Sequence, residues 1–122
     1  MKLRVLAVDD SRTMRGMLDA ALRDAGFEVR LAEDGIEGLE RLNEEMPDII
    51  ITDINMPRMD GFGFIEAVRA ERRYRGLPIL VLTTESAPEL KARARNAGAT
   101  GWIVKPFDEG KLAVAIERVA TV

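Results

Sequence analysis

The side chains able to do chemistry in this sequence are few in kind. There is no histidine and no cysteine, which removes imidazole and thiolate from every catalytic or metal-binding role and leaves no disulfide framework. Carboxylates, hydroxyls and ammonium groups must carry the chemistry. Four groups stand out because each follows a short apolar run: Asp9-Asp10 after Val8, Asp53 after Ile49-Ile50-Ile51-Thr52, Thr83 after Ile79-Leu80-Val81-Leu82, and Lys105 after Ile103-Val104. If these runs are strands ending on one edge, Asp9, Asp10 and Asp53 converge and repel. Either some are protonated or a cation holds them together, and an oxygen-only donor set favours Mg²⁺, a hard ion that keeps several waters. A hydroxyl and an ammonium at the same edge suit a phosphoryl group whose negative oxygens need partners. The set implies an aspartyl-phosphate site in which one carboxylate attacks phosphorus, Mg²⁺ bridges the oxygens and Lys105 offsets the charge. Asp53, at the end of the isoleucine run, is the nucleophile by position. Taken singly, each residue also has a structural reading: the acid pair as a helix cap, Thr83 as partner of a backbone group, Lys105 as a solvated charge.

The elements that must position these groups are legible in the spacing of apolar residues. Leu3–Val8 reads as a first strand, and Ser11 opens a helix with Met14, Leu18, Ala21, Leu22 and Ala25 on one face, ended by Gly26. Phe27–Ala32 alternates as a half-buried second strand. Asp34 and Glu37 resemble a capping box for a helix with Ile36, Leu39 and Leu42 inward, which stops before Pro47. The isoleucine run is a third strand buried on both faces, and Phe64, Ile65 and Val68 make the inward face of the next helix. Glu71–Arg75 reads as a charged exit. Pro78–Thr83 is a fourth strand, Ser86-Ala87-Pro88-Glu89 a capping box for a helix running to Gly98, and Gly101–Val104 a fifth strand. Asp108 caps a last helix with Leu112, Ile116 and Val119 inward. Five strands alternating with five helices predict an α/β fold, a flavodoxin-like doubly wound parallel sheet of strand order 2-1-3-4-5. In that order strands 1 and 3 are neighbours at the switch point, so the acidic groups meet there.

At 122 residues, 47% hydrophobic and 32% charged, the chain is expected to form one domain spanning residues 1–122 and a whole protein, a monomer with a single core. A net charge of -3 argues against electrostatic nucleic-acid binding. No apolar run approaches the roughly 20 residues of a membrane span, so no membrane insertion and a cytoplasmic location are expected.

Val8-Asp9-Asp10-Ser11, Asp53-Ile54-Asn55-Met56-Pro57-Arg58-Met59-Asp60-Gly61, Thr83-Thr84-Glu85 and Val104-Lys105-Pro106-Phe107 fall in the order and at the spacing of a receiver domain. From residue 3 to about residue 120 the chain resembles a two-component response regulator receiver of the single-domain chemotaxis (CheY) type. The resemblance implies that Asp53 accepts a phosphoryl group from a histidine kinase phosphohistidine or a small phosphodonor. It implies Mg²⁺ held by Asp10, Asp53 and the backbone carbonyl of Asn55, with Asp9 helping through water, and phosphoryl oxygens held by Thr83 and Lys105. It implies a cis Lys105-Pro106 peptide. Switching in this family couples the strand 4 hydroxyl, here Thr83, to an aromatic on strand 5, here Trp102. Tyr or Phe is the usual occupant there, and a buried indole N–H needs a partner. Asn55 and Glu85 resemble residues that tune dephosphorylation in fast-resetting chemotaxis receivers, so self-dephosphorylation is expected to be rapid.

The expected output is a protein contact through the face formed by helix 4, strand 5 and helix 5, where Lys91 and Arg95 can meet an acidic partner. The resemblance suggests the flagellar motor switch as target, with a phosphoryl shuttle or sink in a phosphorelay as the alternative. A phosphatase-like enzyme of the haloacid dehalogenase type also uses a strand-end Asp and Mg²⁺, but it needs a second Asp at plus two, where this chain has Asn55. A flavodoxin must cradle a phosphate after strand 1, which Asp9-Asp10 would repel. The chain is therefore expected to be a phosphoacceptor signalling protein rather than an enzyme.

Overall fold

The computed structural model describes residues 2–120. Among them, five parallel strands alternate with five α-helices: β1 (Arg4–Val8), α1 (Arg12–Asp24), β2 (Glu28–Ala32), α2 (Gly35–Glu44), β3 (Ile49–Thr52), α3 (Gly61–Ala70), β4 (Ile79–Thr83), α4 (Pro88–Ala97), β5 (Gly101–Val104) and α5 (Glu109–Ala120). The strand order is β2-β1-β3-β4-β5, the predicted doubly wound arrangement. β3 pairs with β1 from Val5 opposite Ile49 to Val8 opposite Thr52, and with β4 from Ile50 opposite Ile79 to Thr52 opposite Val81.

Strand periodicity divides the core into two layers. Val5, Ala7, Ile49, Ile51, Leu80 and Leu82 pack with Leu18 and Leu22 of α1 and Leu112 and Ile116 of α5. On the other side of the sheet, Leu6, Val8, Ile50 and Val81 pack with Leu42 of α2, Phe64, Ile65 and Val68 of α3, and Ala94 of α4. Successive side chains of a strand point to opposite faces, so an unbroken isoleucine run fits a central strand covered on both sides. β2 departs from simple alternation: Val29 is buried, but Arg30 and Leu31 are both half-buried.

Caps end these helices close to their expected limits. Ser11 accepts from the Met14 N–H, Asp34 from the Glu37 N–H and Asp108 from the Lys111 N–H. Glu37 reaches back to the Glu33 N–H at 2.9 Å, one residue before the cap, so the box closes one position early. Gly26 lies at φ 95° just past Ala25, the C-cap of α1.

Two expectations are corrected. The Ser86–Glu89 capping box does not form: α4 begins at Pro88, with Ala87 as the cap residue and no side-chain bond to the helix end. Pro88 has its φ preset and no N–H to satisfy, which weakens the demand for a hydroxyl cap. The charged exit at residues 71–75 also holds structure. Arg72–Tyr74 make a 3-10 turn that buries Tyr74, whose hydroxyl donates to the Leu42 carbonyl at 3.2 Å. The ring supplies apolar bulk to the α2–α3 layer while its oxygen finds a partner.

Candidate functional site

Parallel pairing continues past the ends of β1 and β3. The Asp9 N–H donates to the Ala32 carbonyl at 3.0 Å and the Asp53 N–H to the Val8 carbonyl at 2.9 Å, so the two acids leave the sheet side by side. Oxygens of Asp9, Asp10 and Asp53 all lie within 4.8 Å of one another. Asp9 and Asp53 are buried, at 1% and 9% exposure, while Asp10 faces solvent.

Lys105 joins the two buried acids. The Lys105 N–H donates to the Thr83 carbonyl at 2.8 Å, and its Nζ reaches Asp9 Oδ2 at 2.8 Å and Asp53 Oδ2 at 2.9 Å. Burial pushes the ammonium pKa down, but hydrogen bonds to Asp9 and Asp53 and the charges of the same two acids outweigh it, and the net shift is upward. The remaining oxygens have backbone partners: the Ser11 N–H donates to Asp9 Oδ1 at 2.9 Å and the Ile54 N–H to Asp53 Oδ1 at 2.6 Å. The Lys105-Pro106 peptide is cis. Gly61 donates to the Ile54 carbonyl at 2.8 Å, and a Cβ at this position would collide with the Asp53 carbonyl oxygen, so only glycine closes the loop this near the acid.

The cluster fits a hard divalent cation on its own geometry. Three carboxylates converge, two of them held in place by backbone N–H groups, and the available donors are oxygens. A single ammonium does not neutralise three carboxylates.

Around this cluster the other sequence-predicted residues form a second group. Thr83 is fully buried, and its Oγ1 accepts from the Glu85 N–H at 3.4 Å. Glu85 is a junction: its carboxylate accepts from Asn55 Nδ2 at 3.3 Å and its carbonyl accepts from the indole N–H of Trp102 at 3.0 Å. The half-buried Trp102 thus has its polar partner and also packs on the core layer below α4. The same indole borders a groove of about 140 Å³ whose lining includes Lys91, Ala94, Arg95 and Thr100.

Two arginines of the site escaped the sequence reading. Arg15 Nη1 donates to the Asp9 carbonyl at 2.8 Å, bracing the acid pair from α1. Arg58 forks onto Asp34, with Nε to Oδ2 at 2.7 Å and Nη2 to Oδ1 at 3.0 Å. No spacing rule marks either one, and Arg58 meets Asp34 from 24 residues away.

Comparison with known proteins agrees with this geometry. The family profile of the response regulator receiver domain matches residues 5–117. The chemotaxis protein CheY of Pseudomonas aeruginosa is 39% identical over 118 residues, covering 96% of this chain and 95% of that protein. A crystal structure of Vibrio cholerae CheY4 superposes with a TM-score of 0.93 at 48% identity, covering 98% of this chain and 99% of that one. The receiver domain of a sensor histidine kinase from Pseudomonas aeruginosa, solved with a magnesium ion coordinated in its active-site cleft, gives 0.92 at 26% identity, each chain covered completely. No helix among the described residues is long and apolar enough to cross a membrane. With the profile matching nearly its whole length and curated relatives well above 30% identity along it, the chain belongs to the response regulator receiver domain family.

Proposed function

We propose that the chain is a phosphorylation-dependent switch of the chemotaxis type, in which Asp53 accepts a phosphoryl group from a histidine kinase or a small phosphodonor. The observation that carries this reading is Lys105 bound at once to Asp9 and Asp53 beside a third carboxylate. An Asp53 carboxylate oxygen attacks phosphorus while the donor's bond to phosphorus breaks, and the leaving group takes its proton from solvent. Lys105 and the Thr83 hydroxyl bind the phosphoryl oxygens. Asp9, Asp10, Asp53 and the Asn55 carbonyl hold Mg²⁺, which when bound supplies charge to offset the phosphoryl oxygens.

The output in this reading is the face of α4, β5 and α5. Glu85 touches both the mouth of the site, through Asn55, and the groove, through Trp102, so a shift of Thr83 toward phosphate reaches Trp102 through one residue. Lys91 and Arg95 are exposed beside that groove and suit an acidic partner, with the flagellar motor switch as the target in motility. The first test is Trp102 fluorescence, titrated with Mg²⁺ and then with a small phosphodonor. Responses to both are expected. Phosphorylation of Asp53 with no change at Trp102 would remove this face from the switch and favour the phosphoryl shuttle or sink.

Asn55 and Glu85 stand at the mouth and are proposed to set the lifetime of the phosphoryl group by leaving water a path to phosphorus. In the presence of Mg²⁺ the adduct is expected to decay far faster than a time course of hours, followed by mass spectrometry. Asn55→Leu, which puts apolar bulk where the amide now meets Glu85, is expected to lengthen the lifetime on the order of tenfold. An unchanged decay rate would exclude Asn55 from this role.

A further inference from the structure

The loop between β3 and α3 begins immediately after Asp53 and carries Asn55. Its root is pinned, because the Ile54 N–H bonds Asp53 Oδ1 and the Gly61 N–H closes on the Ile54 carbonyl. Its tip has an unusual shape. The Met59 N–H bonds the Pro57 carbonyl at 2.6 Å, so the chain turns through three residues with Arg58 at the centre, and Arg58 is the non-glycine residue that lies at positive φ, 62°, among the described residues. A γ-turn of positive φ is rare for a side chain with a Cβ and persists only where the surroundings over-determine it.

Those surroundings lie on another helix. The Arg58 guanidinium takes both oxygens of Asp34, the N-cap of α2, in a fork, and Asp34 is 2% exposed although the arginine is mostly in solvent. The Asp34 carboxyl is held below its ordinary pKa chiefly by that guanidinium. Beside the fork, the Gly35 N–H bonds the Met59 carbonyl at 3.2 Å, and a Cβ on Gly35 would collide with Met59. The tip of the loop is therefore seated on the first turn of α2. An isolated exposed ion pair contributes little, but a fork onto a buried carboxylate has a defined geometry as well as a charge.

We infer that Arg58, through its fork to Asp34, is a positioning residue for the acid site: it fixes the loop whose Asn55 carbonyl would hold Mg²⁺ and makes the first turn of α2 part of the metal site's support. The metal half of this inference rests on the function proposed above. Between a pinned root and a pinned tip only a few residues remain to orient the Asn55 carbonyl. Releasing the tip frees them.

The experiment compares wild type with Arg58→Gly, Arg58→Lys and Asp34→Asn by two readouts: amide hydrogen exchange of Asn55, Met56, Arg58 and Met59 in the metal-free protein, and Mg²⁺ affinity by calorimetry. Glycine adopts positive φ freely, so Arg58→Gly removes the fork without straining the turn. Its loop amides are expected to exchange faster, and its Mg²⁺ dissociation constant to rise about tenfold, as when a group that orients a metal ligand is lost. Asp34→Asn keeps the cap and weakens the fork, so it moves both readouts in the same direction by less. Arg58→Lys restores charge without the fork and falls between. Unchanged exchange in Arg58→Gly overturns the latch, and faster exchange with unchanged Mg²⁺ affinity overturns its role in the metal site. If wild type itself takes up no Mg²⁺, the proposed function fails and the role of Arg58 in the metal site fails with it, while the exchange readout still decides the latch.

Discussion

Asp53→Asn is expected to abolish the phosphoryl adduct completely and to leave the fold in place. The carboxamide has the shape of the carboxylate, and its oxygen can keep the bond from the Ile54 N–H that now ends on Asp53 Oδ1. What it lacks is a negatively charged oxygen able to form the acyl phosphate bond. Asp9 is more deeply buried than Asp53, and Thr83 Oγ1 is buried against the Glu85 N–H. Mass spectrometry after incubation with Mg²⁺ and a small phosphodonor reads the outcome: the mass of one added phosphoryl group in wild type and none in the variant. Trp102 fluorescence in the variant should lose its phosphodonor response. An adduct of undiminished yield in Asp53→Asn, mapped to another residue, would remove Asp53 from its proposed role.

The second large effect is expected at Lys105. Its Nζ is the cationic partner that the described side-chain contacts give to the buried carboxylates of Asp9 and Asp53, and its own side chain is 9% exposed. Lys105→Met keeps the apolar stem and removes the charge, so two buried acids face each other across a neutral side chain. Breaking a buried ion pair by removing one partner costs about 3 kcal/mol or more. The backbone N–H groups of Ser11 and Ile54 still hold one oxygen of each acid, which places the expectation at the lower end of that range. Denaturant unfolding of the metal-free variant measures the loss.

The same variant should gain more from Mg²⁺ than wild type does. A ligand that binds only the folded state stabilises it by an amount that grows with the ratio of its concentration to its dissociation constant. In wild type the ammonium already occupies the space between Asp9 and Asp53, and its raised pKa keeps it charged. Without it, an incoming cation meets uncompensated negative charge. A Lys105→Met protein as stable as wild type without metal would mean that the acids do not depend on the lysine. Equal stabilisation of the two proteins by Mg²⁺ would mean that lysine and metal do not compete.

The contrast between Asp53 and Arg58 shows which features the sequence carries. An isoleucine run ending in aspartate can be read directly, because burial on both faces of a parallel strand demands continuous apolar residues and the chain must turn polar where the strand leaves the sheet. The same reasoning found Asp9-Asp10, Thr83 and Lys105 at three other strand ends, and the structure brings Asp9, Asp10 and Asp53 within 4.8 Å of one another with Lys105 bonded to Asp9 and Asp53. Ser86–Glu89 has the spacing of a cap and does not form one. A local pattern gives way there to Pro88, which presets φ at the start of the helix and has no N–H to satisfy. Tyr74 sits in a charged stretch that reads as solvent-facing and is nevertheless buried, because a hydroxyl partner at Leu42 lies more than thirty residues away along the chain.

The sequence by itself determined the class of fold, the order of its elements and the residue types available for chemistry, because hydrophobic period, strand-end polarity and the lack of histidine and cysteine are properties of the chain alone. Only the tertiary structure decided which of these groups touch. That Lys105 binds Asp9 and Asp53, that Glu85 links Asn55 to Trp102, and that Arg58 turns through positive φ to reach Asp34 all depend on contacts between residues far apart in sequence. The physical reason is range: periodicity and caps act over a turn or a strand, whereas charge pairing and hydrogen bonding act over a few ångströms of space, and folding alone sets that distance.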